Sequence, residues 1–158
     1  MKVDIRKANF DDIDPVRFLF RDTVISINAQ DYKPEEIKVW SECYRNIESW
    51  KKDIETQHFL LAIVNDQIVG FGSIADNGYL DFLYVHKDFQ QQGIATKLLF
   101  EIEKHANKLQ VKKIFSFVSK TARSFFEKNG YSKTGEQVNS LNQIEFVNSV
   151  MEKNVVAI

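Results

Sequence analysis

The chain is 158 residues long, with 44% hydrophobic, 13% aromatic and 27% charged residues and a formal net charge of −1 at pH 7. This length and composition are typical of one globular domain and exclude a disordered or collagen-like chain. A near-neutral chain lacks the bulk attraction for nucleic acid or anionic membrane that a basic domain has. We therefore expect no nucleic acid and no membrane among its partners, and any anion site must be local.

The single cysteine, Cys43, excludes an intramolecular disulfide framework. The first residues form no apolar segment of the signal-peptide type, and no run approaches the roughly 18 apolar residues of a membrane span. These features favour a cytoplasmic protein. Three scattered histidines and one cysteine form no ligand set, so we expect no metal.

The first third of the chain predicts one strand followed by helices. Residues 2–7 alternate between apolar and charged side chains, as a half-buried strand does. Apolar residues then recur at helical spacing from Asp11, the predicted N-cap, to about Asn28. Pro34, followed by two acidic residues, suits the start of a second helix, and residues 46–55 predict a further short helix.

The middle of the chain predicts three consecutive antiparallel strands. Two apolar runs, 58–64 and 67–75, are separated by an Asn-Asp pair that suits a two-residue hairpin turn. A second turn, Asp76-Asn77-Gly78, precedes a third strand over 79–86, which is rich in aromatic and branched residues.

The rest of the chain predicts helices and strands in turn. An apolar stripe over 92–108 indicates a helix that packs on the sheet. The remaining predicted elements are a strand over 113–118, a helix over 121–129 closed by Gly130, and strands over 131–137 and 143–151. We predict a single domain over residues 1–153 and a loose C-terminal tail over 154–158.

The junction between the third of these antiparallel strands, 79–86, and the next helix is a candidate anion site, residues 90–95. The first turn of a helix has unpaired N–H groups and a positive dipole end, which bind phosphate. Gly93 and Ala95 leave room for a phosphate to approach the backbone. No acidic residue lies in this junction, and Lys87 and Lys97 flank it. By itself, one glycine before a helix also fits a purely structural turn.

Four segments of the chain resemble one family. Residues 83–99 resemble the acetyl-CoA-binding motif of the GCN5-related N-acetyltransferase (GNAT) superfamily, and Gln90-Gln91-Gln92-Gly93-Ile94-Ala95 matches its core, Gln/Arg-x-x-Gly-x-Gly/Ala. Residues 121–131 resemble the family's next helix and its closing Gly-Phe/Tyr. Residues 32–40 and 150–153 look like a subgroup of uncharacterised bacterial members. The resemblance covers nearly the whole chain.

The resemblance implies an α/β (α+β) GNAT fold. Its central sheet is mixed and mostly antiparallel, with six to seven strands, about four flanking helices and a splay at the cofactor slot. It also implies acetyl-CoA as co-substrate, with the pantetheine arm along the backbone edge of 83–85, whose amide holds the thioester carbonyl. The cofactor-binding residues implied are Leu83, Tyr84, Val85, Gln90, Gln91, Gln92, Gly93, Ile94, Ala95, Thr96, Lys97 and Phe126.

The expected reaction is direct attack of a primary amine on the thioester with both substrates bound. An alkylamine of pKa about 10 must first lose a proton. Asp81 is the candidate base, because it lies four residues before Val85 and so on the same face by the period of two. A solvent-facing or structurally paired aspartate is the alternative. His86 is more consistent with capping or packing than with catalysis.

The general acid departs from the family pattern. Many relatives carry a tyrosine to protonate the leaving thiolate where this chain has Phe126, which would instead pack on the pantetheine or in the core. Tyr131, Ser119 or Ser124 could donate the proton. With a thiol pKa near 8.5, leaving as thiolate at pH 7 costs only about 2 kcal/mol.

The acceptor pocket is expected between the first two helices, with Tyr32 and Trp40 as candidate walls. Either could be a core aromatic, and for Trp40 we favour the core. The acidic cluster Asp11, Asp12 and Asp14 reads as a capped, solvated helix start rather than an amine trap.

Two other function classes compete with the enzyme. A non-catalytic acyl-CoA-binding sensor would keep the loop without the chemistry. A nucleotide-dependent enzyme is disfavoured, because neither a Gly-x-x-x-x-Gly-Lys-Ser/Thr loop nor a Gly-x-Gly-x-x-Gly loop is present. We expect a monomer or a homodimer.

Overall fold

The computed structural model describes residues 1–156, which contain seven strands and five helices. The strands are β1 (Asp4–Lys7), β2 (His58–Val64), β3 (Gln67–Ile74), β4 (Leu80–Val85), β5 (Lys113–Val118), β6 (Ser132–Leu141) and β7 (Ile144–Asn154). The helices are α1 (Ile13–Ser26), α2 (Pro34–Ser41), α3 (Ile47–Thr56), α4 (Ile94–Leu109) and α5 (Arg123–Lys128). Every predicted strand and helix is present, with ends that differ by a few residues.

The strands form two antiparallel sheets that touch at one point. The first sheet has the order β1-β2-β3-β4 and the second has the order β5-β7-β6. They meet at a single parallel bridge between Tyr79 and Phe115, where the Phe115 amide donates to the Gly78 carbonyl at 3.1 Å. Beyond this contact β4 and β5 diverge, which confirms the predicted splayed GNAT fold.

Gly78 permits the close approach of the two sheets. Its φ of +92° lies in the left-handed region, and a Cβ there would stand 2.5 Å from the Lys113 carbonyl oxygen. The Ser116 hydroxyl adds a second tie at this closed end by donating to the Leu80 carbonyl at 2.7 Å. Larger residues at position 78 would therefore push the sheets apart at the point where the slot must close.

Two apolar clusters cover the two faces of the first sheet. One packs α4 on the sheet through fully buried residues such as Leu98 and Ile102. The other packs α1 and α3 on the opposite face and includes Phe71 and Trp50. Burying each such side chain contributes about 1.5–3 kcal/mol. The sheet is thus held from both sides while its β4 edge stays available at the slot.

The start of α1 differs from the prediction. Asp11 is not the N-cap, because a short 3-10 turn precedes the helix and Asn9 caps that turn by accepting from the Asp11 amide at 2.9 Å. Asp12 is not solvated either. It is 6% exposed, and its carboxylate accepts from the Arg6 guanidinium at 2.8 Å. Hydrogen bonding to Arg6 also lowers the pKa of Asp12.

The C-terminal strands run further than predicted. Asn142 and Gln143 take φ values of 47° and 67°, which suit a two-residue hairpin turn, and the strands on either side pair out to this turn. Strand β7 extends to Asn154, and the Val155 amide donates to the Lys112 carbonyl at 2.9 Å. The expected loose tail therefore does not begin at 154. The prediction for residues 157 and 158 lies outside the described residues.

Within residues 1–156, no helix is both long enough and apolar enough to cross a membrane.

Candidate active site

A cavity of about 850 Å³ fills the slot between the diverging strands. It begins at the loop that precedes α4, follows β4 and β5, and ends against α1, α2 and α3. Its lining includes segments that the sequence predicted for the site, such as β4 and the loop before α4, and segments that it did not, such as α3 and β7. The lining includes Tyr32, Trp40, Asp53, Asp81, Leu83, Tyr84, Val85, Gln90, Gln91, Gly93, Ile94, Ala95, Thr96, Ser119, Phe126 and Phe146.

The loop before α4 has the backbone of an anion site. Gly93 is the N-cap residue of α4 with φ +82°, and a Cβ there would meet no described atom within 4 Å. The left-handed backbone therefore favours glycine, which also leaves open space above the helix terminus. The first turn of α4 carries no acidic residue. This geometry is compatible with the predicted phosphate site, which stays a prediction.

Two predicted loop residues do not face the cavity. Gln92 and Lys97 are absent from the described residues that line it. The Lys97 ammonium instead donates to the Val3 carbonyl and ties α4 to the start of the chain. Its charge is therefore held outside the cavity, which argues against the predicted contact with the cofactor.

The end of β4 is anchored by side chains rather than left free. The Val85 carbonyl accepts from Gln90 Nε2 at 2.7 Å and from Thr23 Oγ1 at 3.1 Å. Gln90 thus locks the loop to the strand. His86 Nδ1 accepts from the Asp88 amide at 3.0 Å, which is the capping role expected for this histidine.

The strand residues at the slot face alternate sides. Leu83 and Val85 pack toward the α4 cluster. Tyr84 packs on the other side, where its ring stacks on Phe71 and meets Phe20 edge-on. Burial raises the pKa of Tyr84. The side chain of Tyr84 therefore belongs mainly to the core, while its backbone lies in the slot.

Asp81 does not occupy the face that counting by twos predicts. In the β3–β4 register Ser73 pairs with Phe82 and Ile74 pairs with Leu80, so Asp81 is the extra residue of a β-bulge. The bulge reverses the alternation, because Leu80 shares a cluster with Leu83 rather than with Phe82. Asp81 still lines the cavity. Its place on the same face as Val85 was a wrong prediction.

The Asp81 carboxylate meets a second carboxylate that sequence reasoning missed. Gln57 Nε2 donates to Asp81 Oδ2 at 2.8 Å and lies 3.5 Å from Oδ1 of Asp53 on α3. Asp53 also lines the cavity. A signal existed in the sequence: Trp50, Asp53, Ile54 and Gln57 recur at i, i+3, i+4 and i+7, so two polar residues share the buried face of a helix.

Both carboxyl groups hold protons more tightly than usual. Burial, followed by repulsion from Asp81, raises the pKa of Asp53 to about 6. Burial also raises the pKa of Asp81, whereas hydrogen bonds from Gln57 and Tyr79 act in the opposite direction. Asp53 and Asp81 are the only charged side chains among the described residues that line the cavity.

The predicted acceptor walls both line the cavity. Tyr32 and Trp40 meet edge-on with ring centroids 5.1 Å apart, and Phe146 of β7 lies 6.2 Å and 6.1 Å from them. The Tyr32 hydroxyl accepts from the Lys120 amide at 2.9 Å, so this wall joins the segment between α1 and α2 to the loop after β5. Trp40, expected in the core, is partly exposed at the wall and only packs against the second cluster. Phe146 was missed.

The candidate general acids separate clearly. Tyr131 is 3% exposed, its hydroxyl donates to Glu103 on α4 at 3.1 Å, and it is absent from the described lining. The predicted catalytic role of Tyr131 is therefore contradicted by its position. Ser119 lines the cavity, whereas Ser124 does not within the described residues. Phe126 lines it and packs edge-on against Tyr131.

The sequence matches the family described as "Acetyltransferase (GNAT) domain" over residues 28–154. A relative, the uncharacterized N-acetyltransferase YafP of Escherichia coli (strain K12), is 29% identical over 135 residues, covering 85% of each protein. A crystal structure of a GCN5-related N-acetyltransferase from Rhodopseudomonas palustris superposes with a TM-score of 0.94 at 25% identity, over 98% of this chain and 96% of that chain.

The PaiA N-acetyltransferase of Thermoplasma acidophilum, solved in complex with coenzyme A, superposes with a TM-score of 0.80 at 23% identity, over 98% of this chain and 99% of that chain. The chain therefore belongs to the GNAT acetyltransferase family, as the family match over 28–154 shows. This membership makes it an acetyl-CoA-dependent acetyltransferase and confirms the acyl donor that the loop motif implied.

Proposed function

We propose that this enzyme transfers the acetyl group of acetyl-CoA to a primary amine by direct attack within a ternary complex, with Asp81 as general base. The observation that carries the proposal is the continuity of one cavity from the α4 terminus, along β4, to Asp81. A donor held at one end and an amine held at the other would meet in the splay between the sheets. Different residues of the cavity lining would bind the two substrates.

The donor end fits acetyl-CoA. The open, acid-free N-terminus of α4 at Gly93 suits the pyrophosphate, and the β4 edge at 83–85 suits the pantetheine arm. Phe126 supplies an apolar contact for the arm. Bound acetyl-CoA brings the thioester whose carbonyl oxygen gains negative charge during attack, where a backbone N–H of β4 would stabilise it.

The acceptor end prepares the amine. An alkylammonium ion gives a proton to the Asp81 carboxylate, and the free amine then attacks the acetyl carbon. A C–N bond forms and the C–S bond breaks. The second proton of the former ammonium group passes from the nitrogen, through water or through the hydroxyl of Ser119 as a relay, to the departing thiolate, and Asp81 returns its proton to solvent. The products are the N-acetylated amine and coenzyme A.

The lining favours an acceptor with positive charge. Its only charged residues among those described are Asp53 and Asp81, so an ammonium group is attracted and a carboxylate is repelled. The aromatic walls Tyr32, Trp40 and Phe146 are suited to contact alkyl chains or cations. The proposed acceptor is therefore a cationic primary amine without a carboxylate beside the reacting nitrogen.

A sensor that binds acyl-CoA without turnover is the second candidate. It is favoured by the separation of Tyr131 from the cavity and by Phe126 in place of the tyrosine acid. A thiolate leaves without acid assistance at a cost of about 2 kcal/mol, so this departure is compatible with an enzyme as well.

The deciding experiment combines binding and turnover. Calorimetric titration with acetyl-CoA is followed by thiol release in the presence of butylamine, 1,4-diaminobutane and 2-aminobutanoate, which share a four-carbon chain, the last with a carboxylate beside the amine. Binding with release for the first two supports the proposal. Binding without release for any amine favours the sensor, and absence of acetyl-CoA binding would refute both.

A further inference from the structure

The side chain of Gln57 joins two carboxyl groups from different elements. It follows the last turn of α3, and its Nε2 lies 2.8 Å from Asp81 Oδ2 and 3.5 Å from Asp53 Oδ1. Its Oε1 is buried and has no hydrogen-bond partner among the described atoms. The amide is therefore oriented by the two carboxylates, and leaving Oε1 unpaired is a stability cost.

No basic side chain neutralises this pair. Neither Asp53 nor Asp81 takes part in any of the ion pairs of residues 1–156. Lys52, the neighbour of Asp53 on α3, acts on that carboxyl only as a nearby charge. The other titratable groups that face the pair are Tyr79, Tyr84 and, through Tyr84, Cys43. The pair thus lines the cavity without an ion-pair partner among the described residues.

We propose that Asp53 and Gln57 are positioning residues for the base Asp81: Gln57 holds its carboxylate at the cavity wall, and Asp53 strengthens its hold on a proton. The inference rests on the proposed function, in which Asp81 accepts the proton of the acceptor ammonium ion.

The physical reason is mutual repulsion. Two carboxylates that share one hydrogen-bond donor resist being ionised together, so the first proton to enter the pair is bound more tightly than by either group alone. This makes the pair a better acceptor for an amine proton than an isolated surface carboxylate. Partial burial strengthens the repulsion because it lowers the local dielectric. Burial and then repulsion from Asp81 raise the pKa of Asp53, which agrees with this arrangement, whereas the raised pKa of Asp81 is caused by burial.

The first test is the pH profile of kcat/KM. Asp53→Asn should move the acid limb to lower pH by about one unit, because the like charge that raised the proton affinity is gone. Glu55→Gln is the matched control, since Glu55 is exposed on the same helix and loses the same charge. It should leave the limb in place. An unmoved limb in Asp53→Asn, or an equal shift in Glu55→Gln, would overturn the inference.

The second test addresses Gln57. Gln57→Leu keeps the approximate length of the side chain and removes the donor, so kcat should fall about tenfold while the KM for acetyl-CoA stays unchanged. Thermal unfolding and acetyl-CoA titration check that the variant is folded. Unchanged kcat would show that Gln57 does not position the Asp81 carboxylate and would overturn this part of the inference. A parallel rise in the KM for acetyl-CoA would show a merely structural role.

Failure of the inference can be told apart from failure of the proposed function. If Asp81→Asn keeps both the rate and the acid limb, Asp81 is not the base. If Asp81→Asn abolishes the limb and Asp53→Asn does not move it, only the inference fails. Carbon-13 NMR titration of the aspartate carboxyls gives the same readout without turnover. The Asp81 resonance should titrate at lower pH in Asp53→Asn, and an unchanged midpoint would overturn the inference even in an inactive protein.

Discussion

The two ends of the cavity are built in different ways. At the proposed donor end, one continuous segment, residues 90–96, would bind through its backbone: a left-handed Gly93 and the first N–H groups of α4. At the proposed acceptor end, Asp53, Asp81 and Trp40 come from three separate elements and would act through their side chains. One end is a local motif and the other is an assembly.

This difference explains why the donor is known and the acceptor is proposed. A phosphate site made of backbone requires only a turn and small residues, so one short segment can be read for it. A side-chain pocket depends on which distant residues the fold brings together. The same contrast says where each substitution should act: on acetyl-CoA affinity at one end, and on turnover or acceptor KM at the other.

The largest expected effect is at the acceptor end. Asp81→Asn removes the proposed base with little change in shape, so kcat should fall by about a hundred- to ten-thousand-fold. Acetyl-CoA affinity should stay within about twofold, because the donor end is untouched. Steady-state kinetics and calorimetry measure the two quantities. A loss of affinity equal to the loss of rate would break the division between the two ends.

Gly93→Glu should produce the largest effect at the donor end. A side chain with φ +82° is strained, and its carboxylate would stand at the proposed pyrophosphate site. We expect acetyl-CoA affinity to fall by about a hundredfold in calorimetric titration.

Gly135→Glu is the control for Gly93→Glu. Gly135 lies on β6, is not among the glycines with positive φ, and a Cβ there meets no described atom within 4 Å. It should bind acetyl-CoA normally. Normal binding by a folded Gly93→Glu variant would refute the phosphate site.

The two tryptophans sharpen the comparison between wall and core. Trp40 lines the cavity, so Trp40→Ala should raise the acceptor KM about tenfold and leave the KM for acetyl-CoA unchanged. Trp50 is 3% exposed and stacks on Phe82, so Trp50→Ala should instead lower the free energy of unfolding by about 3–5 kcal/mol. Denaturant unfolding and kinetics of both variants check this. If Trp40→Ala lowered the free energy of unfolding as much as Trp50→Ala, Trp40 would be a core residue and not an acceptor wall.

The smallest effect concerns a histidine pair outside both ends. His58 on β2 stacks on His105 on α4 with ring centroids 3.6 Å apart. Burial, then the charges of His105, Lys7 and Lys108, lower the pKa of His58 from 6.5 to about 4. Below pH 6.5 His58 therefore becomes protonated in the unfolded chain but stays neutral in the folded chain. The free energy of unfolding consequently falls as the pH drops toward 4.

His58→Phe should weaken this acid loss of stability. Unfolding by denaturant at several pH values between 7 and about 4 measures the slope. A slope identical to that of the unmodified chain would show that the stacked pair contributes nothing. The same data separate loss of activity by protonation of the Asp53–Asp81 pair from loss of activity by unfolding.

The sequence by itself determined the order of strands and helices along the chain and the family, and it predicted the anion loop. These follow from local patterns: period-two and helical spacing, the turns at 65–66 and 76–78, and a glycine before a helix. The N-cap at Asp11 was wrong because Asn9 caps a 3-10 turn that precedes α1. The tail from Asn154 was wrong because β7 extends to Asn154 and the Val155 amide donates to the carbonyl of Lys112, which is distant in the sequence.

Only the tertiary structure decided the acceptor end. The bulge that makes Asp81 the extra residue exists because β3 fixes the register of β4, which period-two counting within one strand cannot detect. Asp53 reaches Asp81 only because α3 packs on the sheet, and Phe146 reaches Trp40 only because β7 belongs to the second sheet. A backbone motif is formed by one short segment of the chain, whereas a side-chain site depends on packing between segments that are distant in the sequence.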